Sequence, residues 1–157
     1  MALRQTPMRI DDRVFREVDD SCALCGHRGV EALTIHHIDG DRANNTYENQ
    51  IVLCHNCHQI YHDNKGITAE HIKRRKSHLI AKSLTPYGLS ALKIAARNSY
   101  GVAATPFLLM HVVDLGYLRK LHTLSTVGDQ HGEVEVDARF IITDLGKLVL
   151  HDWLKEI

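Results

Sequence analysis

Two short phrases, CALC at residues 22–25 and CHNC at residues 54–57, constrain this chain more than anything else in it. Each is a C-x-x-C pair, and together they hold all four cysteines of the 157-residue sequence. Two such pairs brought together close a tetrahedral site for one zinc ion, and in an intracellular chain that reading comes before a disulfide framework. A thiol redox centre would use one pair and leave the other idle. The fold therefore has to carry residues near 22 to residues near 54. A chain of 157 residues has room for one ordinary domain or two small ones, so the unit with the cysteines has a thin core that a metal would staple.

The phrase CHNCH is also the C-x-x-C-H pattern of covalent haem attachment, but that chemistry accompanies export. The N-terminal MALRQTPMRIDDRVFREVDD is dense in charge and has no continuous apolar run, so neither a signal peptide nor a membrane span is expected, and the expected compartment is the cytoplasm. Nineteen basic and nineteen acidic side chains cancel, so any attraction for nucleic acid has to be local. The candidate is HIKRRK, within residues 71–82, where Lys73, Arg74, Arg75, Lys76 and Lys82 occur with no acid. Taken alone, such a run is a solvated helix face. Thr68 is placed to cap that helix and Pro86 limits its length.

All the cysteine and half of the twelve histidines precede about residue 63, and the part after residue 84 reads as ordinary amphipathic structure. There, residues 89–97 have a short helix pattern, and Thr105 and Pro106 open a second helix that Gly116 ends. YLRKLHTLST and EVEVDARFII flank a polar turn as a hairpin, and Thr143 caps a last helix. No repeat or low-complexity tract is present.

Between the cysteine pairs lies IHHIDGDRANNTYENQIVL. His58 and His62 are four apart in a stretch able to begin a helix, so their imidazoles project from one face and can share an ion. His36 and His37 are neighbours near the end of an apolar strand pattern. Strand neighbours face opposite ways, so only one of the two can be a simple ligand beside His58 and His62. DGDRANN is turn chemistry and NQIVL a returning strand, which makes the order strand, loop, strand, helix. The bland alternative is a zinc-only module whose histidines satisfy hydrogen bonds in a small core.

From Cys22 to about His62 the chain resembles the HNH endonuclease family with its ββα-metal fold: the histidine pair, the asparagine of ENQIVLC, the C-x-x-C and the following histidines stand in family order. The resemblance implies that His36 binds a catalytic divalent ion (Mg²⁺, Mn²⁺, Ni²⁺ or Zn²⁺) and that His37 is the general base for water. It implies that Asn49 holds the loop, that His58 and His62 complete the metal site, and that Cys22, Cys25, Cys54 and Cys57 bind a structural zinc. The implied reaction is hydrolysis of DNA phosphodiesters to 5′-phosphate and 3′-hydroxyl ends. Histidine, titrating near pH 6.5, suits the base without elaborate tuning. The phrases LLMHVVDLGYLRK and FIITDLGKLVL resemble a winged-helix domain, although residues 106–114, the helix that would enter the major groove, carry no Lys or Arg. That departure makes protein contact or dimerisation as natural a role as DNA reading.

The expected fold class is thus α+β: residues 1–66 a zinc-stapled ββα-metal nuclease domain, 67–84 a basic linker helix, and 85–157 a winged-helix-like domain. Lys73, Arg74, Arg75 and Lys76 are the expected nucleic-acid contacts and DNA the expected partner, with a homodimer one way to cut both strands. A non-catalytic, zinc-containing DNA-binding regulator is the alternative. For His27, His55, His71, His78, His111, His122, His131 and His151, ordinary packing and surface roles are expected. Asp39 is expected as a turn residue first and Tyr61 as packing.

Overall fold

The computed structural model describes residues 10–155; residues 1–9, part of the segment expected to carry no signal or span, lie outside them. The chain is α+β and divides into two compact units, Met1–Ile80 and Ala81–Ile157. Among the described residues no helix is long and apolar enough to cross a membrane.

The first unit opens with helix α1 (Ile10–Arg16), passes through the CALC knuckle and a short 3-10 turn at Val30–Ala32, and enters strand β1 (Leu33–His37). Strand β2 (Gln50–Cys54) returns antiparallel, with His36 opposite Ile51 and His37 opposite Gln50. An isolated two-stranded hairpin is marginal in water. Here β2 is buried at every position, because α1 and helix α2 (His55–His62) both pack against it. Ile51, Val52 and Leu53 are completely buried, each contributing about 1.5–3 kcal/mol by the usual transfer estimate. A strand covered on both sides needs an apolar run rather than an alternation, and IVL is that run.

Helix α2 starts at once, since the Cys54 thiol at the N-cap accepts from the Cys57 amide. Helix α3 (Ala69–Arg97) is opened by a reciprocal cap: Thr68 Oγ1 accepts from the His71 amide, and His71 Nδ1 accepts from the Thr68 amide. His71 thus has a local capping role. In the first unit α3 buries Ile72, Leu79 and Ile80.

The same helix face corrects one expectation. Lys76 is not available to a phosphate: it is fully buried, with Nζ 2.7 Å from Glu17 Oε1 and 3.7 Å from the Tyr47 ring centroid. Tyr47 in turn donates to Glu17 Oε2 at 2.6 Å. Burial, the largest influence, draws the Lys76 pKa below the ordinary lysine value against the opposing attraction of Glu17 and Glu48. Lys73, Arg74 and Arg75 are exposed, and Arg75 Nε donates to the Ala23 carbonyl at 2.7 Å, which ties α3 to the CALC knuckle. Spacing showed four adjacent cations, but a helix turns 100° per residue, so a run of four cannot lie on one face.

In the second unit the helical segment from Pro86 to Arg97 follows a break at Thr85, whose φ of 60° and ψ of 161° are non-helical. Proline disfavours helical backbone in the residue before it, and the strain falls there. Strand β3 (Val102–Ala104), helix α4 (Pro106–Asp114), strands β4 (Leu118–Asp129) and β5 (Gly132–Ile142) and helix α5 (Asp144–Leu148) follow, and a π-helical turn at Val149–Trp153 extends α5. The sheet order is β3-β5-β4, all antiparallel. Leu92, Leu109, Val112, Tyr117, Phe140, Val149 and Leu150 form the core. Gly101 has φ +75°, and a β-carbon there would run into the Phe140 carbonyl. Thr143 donates to the carbonyls of Gly116 and Tyr117 and caps α5 by accepting from the Gly146 amide. Beyond Lys120 the long hairpin is solvent-exposed on β4, and its register shifts at bulges. Lys120 and Thr123 both donate to Glu135 across it.

The buried ion pair carries a direct expectation. Glu17→Ala leaves an ammonium without its carboxylate in a dry site and is expected to destabilise the protein by about 3–5 kcal/mol. Lys73→Ala, at an exposed position, is expected to change stability by no more than about 0.5 kcal/mol. Urea or thermal unfolding of the two variants distinguishes them, and equal, small effects would contradict the burial of the pair.

Candidate metal centre

Two clusters of metal-ligating side chains are present among the described residues, both in the first unit. The first joins the two C-x-x-C phrases. The CALC knuckle is a tight hairpin in which the Cys22 amide donates to the His27 carbonyl and the Gly26 amide to the Cys22 carbonyl. Gly26 takes φ +73°, a left-handed turn that costs a residue without a side chain little. Ala23 donates to the Val52 carbonyl, so the knuckle is docked on β2 just ahead of Cys54.

The four sulfurs lie within 4.8 Å of one another, and Cys25 Sγ and Cys54 Sγ are 3.7 Å apart. Four thiolates around zinc at 2.3 Å form a tetrahedron with edges of about 3.8 Å, so the cluster fits a closed structural site and could bind zinc. Burial would raise the Cys22 pKa, but backbone hydrogen bonds from Cys25, Cys54 and Leu24 outweigh it and bring the thiol to about 7. Burial raises Cys57, and the neighbouring cysteines add to the effect. A site of this kind needs a cation to hold all four as thiolates.

The second cluster is His36, His58 and His62, one ring nitrogen of each lying within 4.8 Å of the others. His58 and His62 sit on one face of α2, four residues apart, with their Nε2 atoms 3.2 Å from each other. Two nitrogens sharing a tetrahedral ion at 2.0–2.1 Å would be about 3.3 Å apart. His36 comes from β1 and turns toward α2, its ring centroid 5.2 Å from that of His58 and 4.9 Å from that of Tyr61. Tyr61 therefore packs edge-on against His36, as expected of a packing residue. His36 is only 6% exposed, and its Nε2 is buried with no hydrogen-bond partner among the described residues.

A buried ring nitrogen without a partner is costly unless something binds it, and a cation beside His58 and His62 fits that need. Burial, then the charges His58, His62 and His37 would carry, lower the His36 pKa to about 4. Burial together with His62, His55 and Arg42 lowers His58 as well. Both shifts keep the imidazoles neutral at ordinary pH, the form that donates a lone pair. Three ligands leave open positions, in contrast to the closed set of four thiolates. A cavity of about 390 Å³ lined by Tyr61, His62, Asn64, Ile67, Thr68 and Ala69 adjoins His62.

His37, one residue on, points elsewhere: its Nε2 is 2.8 Å from Asn45 Oδ1. Asn49, 5% exposed, locks the loop between the strands. Its Nδ2 donates to Asp39 Oδ1 and to the Asn44 carbonyl, and its Oδ1 accepts from the Asp39 amide. Asp39 is the other half of this lock. Its Oδ2 accepts from Asn44 Nδ2 and its Oδ1 from the Asp41 amide, and those bonds, the one from Asn44 first, hold the carboxyl below its usual range. Asp39 thus does more than turn the chain. Asn44 and Asn45, legible in the sequence only as turn residues, and Gln50, which carries no motif, also belong to this neighbourhood. The cross-strand position of Gln50, opposite His37, was the one available signal.

Of the remaining histidines, His111 Nε2 pairs with the Leu84 carbonyl and His151 Nδ1 with Asp152. Neither belongs to a cluster. Protein-family models, curated proteins and solved structures were compared with the chain, and none matches it.

Purified protein is expected to contain one zinc per chain held by the cysteines, measured by elemental analysis with thiol titration. Cys57→Ser, which removes a buried ligand, is expected to lose that zinc and unfold at a lower temperature. Apparent zinc binding of about 10–16 kcal/mol in finger peptides makes the loss large against a small core. Four readily oxidised thiols and no zinc would contradict the assignment.

Proposed function

We propose that this chain is a metal-dependent endonuclease of the HNH type, hydrolysing DNA phosphodiester bonds. The reading rests above all on three imidazoles converging from a strand and a helix, with the strand neighbour of one of them left outside the cluster. His36, His58 and His62 hold a divalent cation. When bound, that ion supplies positive charge to a phosphate oxygen and to the departing oxygen. His37 takes a proton from the attacking water. Asn49 and Asp39 keep the loop, and with it the strand end carrying His37, in place.

Exposed Lys73, Arg74 and Arg75 are the proposed phosphate contacts, with Lys76 removed from that set. The hairpin, loop and helix from Leu33 to His62 would then be a ββα-metal fold. The order of helix, strand, helix, long hairpin and helix after Thr85 supports a winged-helix-like accessory unit. On α4 the exposed side chains include Phe107, Leu108 and Met110, and no Lys or Arg occurs between Pro106 and Asp114, which favours a protein contact over major-groove reading.

Supercoiled plasmid incubated with Mg²⁺, Mn²⁺, Co²⁺, Ni²⁺ or Zn²⁺ tests the reading. Metal-dependent nicking is expected, with His37→Ala slower by at least about 100-fold while zinc content and fold persist. Nicking at an equal rate by His37→Ala would defeat the assignment of the base. Tight DNA binding with no nicking under any metal would support a non-catalytic zinc-containing regulator instead. For binding, two to three neutralised phosphates give an expected slope of about −2 to −3 in log K against log salt. A slope near zero would take α3 out of the interface.

A further inference from the structure

Gln50 is 3% exposed and stands directly opposite His37 in the β1–β2 pairing. Its Nε2 lies 3.1 Å from Asn45 Oδ1 and 3.3 Å from His37 Nε2. His37 Nε2 is 2.8 Å from the same Asn45 oxygen. Three polar groups from two strands and a loop therefore meet at one atom.

The chemistry of the triangle selects a protonation pattern. An amide oxygen can accept two hydrogen bonds, and here two nitrogens face it. If Gln50 donates to Asn45 Oδ1, His37 satisfies its own nitrogen by donating Nε2–H to the other lone pair. Flipping Asn45 alone would set its NH₂ 3.1 Å from that of Gln50, with both competing for the one lone pair of His37 Nε2. Flipping both amides instead lets Asn45 Nδ2 donate to His37 Nε2 and to Gln50 Oε1. It would also put the Gln50 NH₂ where its Oε1 now sits, a buried position with no partner among the described residues. An orphaned carbonyl oxygen is tolerated better than an orphaned N–H donor, so the flipped arrangement is the costlier one.

We infer that Gln50 and Asn45 form a side-chain relay that holds His37 in the Nε2–H tautomer, leaving Nδ1 as the nitrogen that carries the lone pair. Under the nuclease reading, on which the kinetic arm of this inference rests, the proton from water arrives at Nδ1 while Nε2–H stays bonded to Asn45. Asn45 and Gln50 are then positioning residues: they touch neither water nor phosphate, and they act by fixing which nitrogen of the base is free. Among the described residues no hydrogen bond to His37 Nδ1 competes with that role.

The test begins with two-bond ¹⁵N–¹H imidazole spectra of the metal-loaded protein at about pH 8, above the ordinary histidine range. His37 is expected as the Nε2–H tautomer in wild type and as a mixture in Asn45→Ala. Asn45 is exposed, so that variant is expected to keep its fold and zinc. Asn45→Asp, which retains an oxygen acceptor, is expected to restore the single tautomer. In the nicking assay kcat is expected to fall roughly 10- to 100-fold in Asn45→Ala with KM nearly unchanged, and to recover largely in Asn45→Asp. Gln50→Leu, an apolar replacement of similar size, is expected to mix the tautomers as well.

An Nδ1–H tautomer in wild type, or a tautomer and kcat indifferent to Asn45→Ala, would overturn the relay. An indifferent Gln50→Leu would remove Gln50 from it. Wild type that cuts nothing would count against the nuclease reading alone, because the spectra report the tautomer independently.

Discussion

The pairing of β1 with β2 in a single register is the constraint on which the rest of the first unit depends. With His37 opposite Gln50, His36 is opposite Ile51 and faces α2, and the two histidines look in different directions. A slip of one residue would exchange them, because side chains alternate along a strand. Several contacts pin the register at both ends. At one end Cys54 is opposite Leu33 and becomes the cap of α2, while the CALC knuckle docks on the Val52 carbonyl. At the other end Asn49 ties Asp39 and Asn44 together so that the loop cannot lengthen either strand. The two metal-ligating clusters therefore share their supports. The four-cysteine cluster brings β2 and α2 to the knuckle, and the imidazole cluster uses the same strands and helix a few residues away.

A second constraint comes from charge inside the fold. Glu17, Tyr47 and Lys76 join the segment after α1, the residues ahead of β2, and α3 in one buried polar network. Such a network stabilises only when every member is satisfied, and losing one leaves a charge in a low dielectric. The negative charge of Glu17 and Glu48 is what holds a lysine from a basic run turned inward. The remaining cations of that run stay at the surface, where the proposed function would use them.

Particular residues separate what was legible in the chain from what was not. The cysteine pairs, the spacing of His58 and His62, the strand assignment of His36 and the caps at Thr68 and Thr143 follow from local rules, since each depends on side chains within a turn or a strand of one another. The hairpin and the helix opened by Pro106 were readable for the same reason. Lys76 was misread because its partner Glu17 lies far away in sequence, and nothing in HIKRRK distinguishes the buried cation from the exposed ones. Asn45 reads only as a turn residue and Gln50 only as a strand start, because both are ordinary until the hairpin register brings them to one atom.

From its sequence alone, this protein has the ligand types and their spacing, and hence the requirement that residues near 22, 36, 54 and 60 converge. Periodicity and capping, which act over one or two turns of chain, also set most of the element order. Tertiary structure decided which of two adjacent histidines turns toward α2, which of four consecutive cations is buried, and which amides surround the outer imidazole. Those outcomes rest on contacts between segments distant along the chain, whose partners are chosen by register and burial rather than by any local preference.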